Sequence, residues 1–140
     1  MATEPLLKES WERKAVGETK GETPDEHGVR LFFDLKEAAE RSNDLRILTD
    51  ELERKISSYA DAVSRYFSAK QGTDREAIQR ADEHRHILHE DLIATLNQLS
   101  RLYHKLGRSN SWRKEIGLDR DQVEAWALSV AQNALGHKLN

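Results

Sequence analysis

Two long stripes of apolar residues, joined by a short polar turn, constrain the fold of this 140-residue chain more than any other feature. In residues 45–66 and again in residues 81–106, apolar residues, mostly leucine, return at spacings of three, four or seven positions. That spacing is the period of one face of an α-helix. Because residues 71–73 leave room for only a short turn, the two helices are predicted to pair as an antiparallel hairpin over about residues 44–107. Leu92 and Leu99 are expected in its core.

Further start and stop signals place a helix on each side of this hairpin. Three pairs have the spacing of a capping box, in which the two residues exchange hydrogen bonds between side chain and backbone at the helix start. These pairs are Thr23 with Glu26, Thr73 with Glu76, and Asp119 with Gln122. Gly72 is expected to end the first hairpin helix in the left-handed conformation, and residues 108–117 are expected to form a polar loop. The sequence therefore predicts an all-α fold, a helical bundle of about four helices built around the hairpin.

The composition agrees with a single domain of amphipathic helices. Apolar residues make up 37% and charged residues 34% of the chain, with only seven glycines and two prolines. We expect residues 23–140 to form one all-α domain, and residues 1–22, which are polar and of mixed charge, to be a flexible N-terminal tail. The chain has no cysteine, which excludes a disulfide, a thiolate metal site and a cysteine nucleophile.

Neither a secretion signal nor a membrane span is expected. The first ten residues contain no apolar segment, and no apolar run approaches the roughly 20 residues that a membrane-spanning helix needs. The formal net charge of −3 is too small to indicate a partner by itself. The expected location is the cytoplasm.

Some apolar residues lie away from the stripes. At 100° per residue, Ile87 and Ile93 fall outside the stripe of the second hairpin helix, and Leu128 and Leu135 fall outside that of the last helix. A helix that is apolar on more than one side is packed on more than one side. We therefore predict a homo-oligomer, with a dimer favoured.

A segment rich in histidine and acid offers the first candidate site. Asp82, His86 and His89 are spaced to share one face of a helix, and carboxylate with neutral imidazole can bind zinc, iron, nickel or manganese. A solvated polar face without a metal explains the same residues. His84 lies at the edge of the apolar stripe and is expected to be partly buried.

A basic stretch offers the second candidate site. Residues 101–114 contain five basic side chains and no acid, together with two aromatic residues. Such a stretch can bind an anion or a nucleic-acid backbone. Cations near a helix C-terminus also stabilise the helix dipole, which accounts for several of them without a ligand, so nucleic acid is not the favoured partner. The five are Arg101, Lys105, Arg108, Arg113 and Lys114.

These features favour a function without catalysis. The sequence contains no nucleophile elbow, P-loop, dinucleotide fingerprint or His-Glu-x-x-His helix. The leading hypothesis is a helical protein–protein interaction module that self-associates and needs no cofactor. One alternative is a metal-binding bundle, with or without enzymatic activity, that uses His86 and His89 to hold a divalent ion. Another is a weak nucleic-acid binder that uses residues 101–114.

Overall fold

The computed structural model describes residues 22–138, and this part of the chain folds into five helices without a strand. The predicted N-terminal tail lies outside the described residues apart from Glu22. The all-α class and the helical bundle are confirmed, with one short helix more than predicted. In chain order the helices are α1 (Pro24–Ala39), α2 (Asn43–Lys70), α3 (Arg75–Lys105), α4 (Trp112–Ile116) and α5 (Arg120–Asn133).

Helices α2 and α3 form the predicted antiparallel hairpin. Lys55 of α2 pairs with Asp91 of α3 at 2.5 Å, and the rings of Tyr59 and His89 lie 5.5 Å apart. The contacts run forward along α2 and backward along α3, as in an antiparallel pair. The residues that the two helices bury are spaced by three or four positions, as an apolar face requires. On α2 they include Leu45, Leu52, Ile56, Tyr59 and Val63, and on α3 His89, Leu92, Leu96, Leu99 and Tyr103.

Helices α1 and α5 pack against each other and against α2, which closes the core. The two helices come close at Gly28, whose carbonyl accepts a hydrogen bond of 2.9 Å from Trp126 Nε1. A Cβ atom at position 28 would lie 2.9 Å from Trp126 Cδ1, so a glycine is needed for the two helices to approach this closely.

The capping boxes at α1 and α5 are confirmed, and the one predicted for α3 is wrong by one residue. Asp74, rather than Thr73, is the N-cap of α3, and its carboxylate accepts from the backbone N–H groups of Glu76 and Ala77 at 3.1 and 3.2 Å. A carboxylate at this position satisfies two open donors and complements the helix dipole, which a hydroxyl at Thr73 does less well. Gly72 is not left-handed, because Gln71 ends α2 with ordinary helical angles.

The prediction of a polar loop over residues 108–117 is wrong, because this segment contains α4. Trp112 and Ile116, one turn apart, are both buried, and the Trp112 ring meets the edge of Tyr103 at 5.3 Å. Two apolar side chains at helical spacing thus dock the short helix onto the core.

The apolar residues outside the main stripes are mostly covered within one chain. Ile93, Leu128 and Leu135 are half-buried against the core, whereas Ile87 is 64% exposed. The fold of one chain therefore covers three of the four residues from which an oligomer was predicted. Self-association would therefore have to use another surface.

Candidate functional site

A polar network joins α2, α3 and α5 where the start of α5 crosses the hairpin. The hydroxyl of Tyr59 donates to Glu124 Oε2 at 2.5 Å, and Arg85 Nη1 lies 3.4 Å from the same oxygen. Arg85 Nη2 donates to Asp82 at 2.6 Å. Burial and the hydrogen bond to Glu124 raise the pKa of Tyr59 well above the ordinary tyrosine value, so this hydroxyl stays protonated as a donor.

His89 belongs to the core. Its side chain is buried against Tyr59, and Nε2–H donates to the backbone carbonyl of Arg120 at 3.2 Å. The other ring nitrogen, Nδ1, is buried and has no hydrogen-bond partner within residues 22–138. His84, which was expected to be the partly buried histidine, is exposed, so that prediction is wrong and His89 occupies the buried position.

Asp82 and His86 lie together at the surface and apart from His89. His86 Nε2 is 3.5 Å from Asp82 Oδ2, and its Nδ1 accepts from the guanidinium of Arg120. The structure thus brings together two of the three predicted metal ligands and turns the third into the core. Among residues 22–138, no three His, Asp or Glu side chains are grouped so that they could hold a metal ion.

The basic stretch is not a single surface. Arg113 is buried, and it donates from Nε to Asn97 Oδ1 at 3.0 Å and from Nη1 to the carbonyl of Gly117 at 2.7 Å. Its burial lowers the pKa of the guanidinium. Arg108 lies over the ring of Tyr103, 5.5 Å from the centroid. Arg108 is itself exposed, as are the other three basic residues predicted to bind an anion, Arg101, Lys105 and Lys114.

A second charged cluster ties α4 to the start of α1, and sequence reasoning missed it. His27 Nδ1 is 3.0 Å from Glu22 and His27 Nε2 is 3.1 Å from Glu115, while Arg30 Nε donates to Glu22 at 2.9 Å. Although burial raises the pKa of Glu22, the hydrogen bonds from Arg30 and His27 hold it below its usual value. The only signal in the sequence is the i, i+3 spacing of His27 and Arg30 on α1.

The far end of the hairpin projects beyond the core. No residue from Ser64 to Leu88 is buried, and we call residues 64–84, which precede the contact of Arg85 with Glu124 of α5, the hairpin tip. The buried stripe of α2 nevertheless continues into the tip, because Val63 is 2% exposed and Phe67, one turn later on the same face, is 46% exposed. At this end the Arg85 guanidinium of α3 lies over the ring of Tyr66 of α2, 4.5 Å from the centroid.

Comparison of the chain with models of known protein families, with curated proteins and with solved structures finds no match. None of the helices in residues 22–138 is both long enough and apolar enough to cross a membrane.

Proposed function

We propose that this chain is a helical interaction module without catalytic function that self-associates. The observation that carries the proposal is the hairpin tip, where the two longest helices leave the bundle and their apolar stripe continues without cover. An apolar face that no element of the fold covers is typical of a surface that binds a macromolecule.

The energetics of helices support this proposal. Two helices without other elements bury only the seam between them, and most of the stability of a helix in a protein comes from packing its apolar face. At the tip that seam is formed by side chains that are only half-buried, among them Ala77, Ile78 and Ala81. A partner that covers the tip would add the packing that α1 and α5 provide for the rest of the hairpin.

The candidate chemical residues also support an interaction module over an enzyme. Arg85, Glu124 and His89 form contacts between helices, and Arg113 holds α4 to α3 through Asn97. Side chains used in this way stabilise the fold, and moving them to bind a substrate would break those contacts. A structural role therefore explains these polar contacts.

Light scattering coupled to gel filtration tests the proposal on the full chain. The expected mass at micromolar concentration is twice the monomer mass of 16.1 kDa, falling towards 16.1 kDa on dilution if the dimer is reversible. A constant mass of 16.1 kDa at every concentration up to about 1 mM would contradict self-association. A dimer with a dissociation constant of about 1 mM has a free energy of association of only about −4 kcal/mol.

A further inference from the structure

We propose that the end of α3 opposite the hairpin tip binds the phosphate backbone of double-stranded nucleic acid without reading its sequence. The contact is made by four exposed cations, which we call the basic surface: Arg101, Lys105, Arg108 and Lys114. This inference goes beyond the proposed self-association and does not depend on it, because pairing through the tips would leave this end of α3 free.

The fold brings the four cations together by turning the chain back along α3. Asn110 Nδ2 donates to Ser100 Oγ at 3.0 Å, and Arg113 Nε donates to Asn97 Oδ1 at 3.0 Å. As the chain advances from residue 110 to residue 113, its partners on α3 therefore step back by three residues. The segment of residues 108–114 thus lies antiparallel to the last turns of α3, and the buried Arg113 holds it there.

The cations form two neighbouring rows. On α3, Arg101 and Lys105 follow Asn97 at intervals of four residues, which keeps all three on one side of the helix. The returning segment, which binds Asn97, carries Arg108 and Lys114 as the second row beside the first. The rise of α3 from Asn97 to Lys105 is about 12 Å at 1.5 Å per residue, so the charges lie close together.

No acid neutralises the basic surface. Residues 92–114 contain no aspartate or glutamate, and none of the four cations forms an ion pair within residues 22–138. Two acids of neighbouring segments are paired elsewhere. Glu115 lies 3.1 Å from His27, and Asp34, whose charge acts on Tyr103, pairs with Arg30 at 3.4 Å. A cluster of unpaired cations attracts a polyanion even though the net charge of the chain is −3.

The surroundings of the cations favour a phosphate backbone over an unpaired strand or a protein. Tyr103 and Trp112, the aromatic residues of this region, are only 5% and 8% exposed, so neither can stack on an unpaired base. Nor do they provide the exposed aromatic centre that is typical of protein–protein interfaces. Arginine and lysine alone bind phosphates by charge and hydrogen bonds, and such contacts carry no sequence information.

The salt dependence of binding to a duplex of roughly 20 base pairs tests the inference by fluorescence anisotropy. Four phosphate contacts predict that the dissociation constant rises roughly 150-fold between about 50 and 200 mM salt. Removing one row, by Arg101→Gln with Lys105→Gln or by Arg108→Gln with Lys114→Gln, should leave a rise of roughly 12-fold. DNA and RNA duplexes are measured side by side, because both present the same backbone phosphates.

The matched control changes the net charge equally at the other end of α3. Arg65 and Arg75 are exposed in the hairpin tip and form no ion pair within residues 22–138, so Arg65→Gln with Arg75→Gln should bind like the wild type. Circular dichroism should show the same helix content for every variant. If loss of the contact of Arg108 with Tyr103 lowers the melting temperature, Lys114→Gln alone replaces that pair. It should leave a rise of roughly 40-fold.

The outcomes are distinct from those for self-association, which the mass measurement decides separately. Duplex binding with the stated salt dependence, weakened by both row variants and not by the control, supports the inference, and a preference for DNA or RNA identifies the source. No binding at about 100 μM protein in about 50 mM salt overturns it, as does binding that either row variant leaves unchanged. A single strand or polyglutamate that binds more tightly than the duplex also overturns it, because the partner would then be another polyanion.

Discussion

Arg113 lies inside the fold, where its guanidinium joins α3, α4 and the turn that follows α4. Replacing it with alanine leaves Asn97 Oδ1 and the carbonyl of Gly117 without their donors. We expect Arg113→Ala to lower the free energy of unfolding by about 1–3 kcal/mol. Lys114→Ala, at the exposed neighbouring residue, should change it by less than about 0.5 kcal/mol. Urea denaturation measures both, and equal effects would contradict the buried position of Arg113.

Tyr59 should stabilise the fold through its hydroxyl. Tyr59→Phe removes the hydrogen bond to Glu124 and should cost about 1–2 kcal/mol. Tyr66→Phe is the matched control, because the Tyr66 hydroxyl makes no hydrogen bond within residues 22–138, and it should cost much less. A loss of stability as large for Tyr66→Phe as for Tyr59→Phe would show that the bond to Glu124 contributes nothing.

The contribution of Tyr59 should also depend on pH in a defined direction. The folded state raises the pKa of Tyr59, so its stabilising effect is complete below the unfolded value of about 10 and is lost as the pH rises towards the folded value. The unfolding free energies of wild type and Tyr59→Phe should therefore converge above about pH 10. Two curves that stay parallel from pH 8 to pH 11 would contradict the raised pKa.

The four longer helices could be predicted because each is long enough to repeat its apolar pattern and three begin or end with clear caps. Helix α4 could not, since five residues make little more than one turn, and the single helical spacing from Trp112 to Ile116 is not repeated. The phase of α3 was also ambiguous. Because leucine and isoleucine lie on several sides of that helix, the sequence predicts a buried face that includes Leu88. In the structure the buried face instead includes His89 and Leu92. A shift of the buried face by one residue, from Leu88 to His89, therefore decides whether His89 is exposed or buried.

Gly117 should be the most sensitive residue of the connection between α4 and α5. Its φ is +123°, and a Cβ atom there would lie 2.3 Å from Gln122 Cβ. Gly117→Ala should cost about 2–5 kcal/mol from backbone strain and steric clash together. Gly107→Ala is the control, because φ is +73° and no atom lies within 4 Å of the added Cβ, so it should cost about 1–2 kcal/mol. Equal losses of melting temperature would contradict the clash.

The candidate sites were harder to predict than the helices because they depend on contacts between distant segments. The spacing of Asp82, His86 and His89 gave their positions on one helix, but the contact of α5 with His89 decided which of them is buried. In the same way Arg113 belongs to a basic stretch in the sequence and to the core in the structure. Neither contact partner, Arg120 or Asn97, carries a pattern that could have been recognised in advance.

The bundle as a whole closes its core at one end of the hairpin and leaves the other end uncovered. Helices α1 and α5 shield α2 as far as Val63, and the tip projects by about two turns of α2, or roughly 10 Å at 1.5 Å per residue. Ile93, Leu128 and Leu135, from which an oligomer was expected, pack against the core of one chain, so the proposed self-association rests on the tip.

The distance between labels on two copies tests this account most directly. The chain has no cysteine, so Gln71→Cys gives one spin label per copy at the tip, and Lys105→Cys gives one at the far end of α3. Dipolar spectroscopy should find the tip labels much closer to each other than the far labels, because α3 separates the two label positions of one copy by about 45 Å at 1.5 Å per residue. Close far labels with distant tip labels, or no dipolar coupling at either position, would contradict pairing through the hairpin tips.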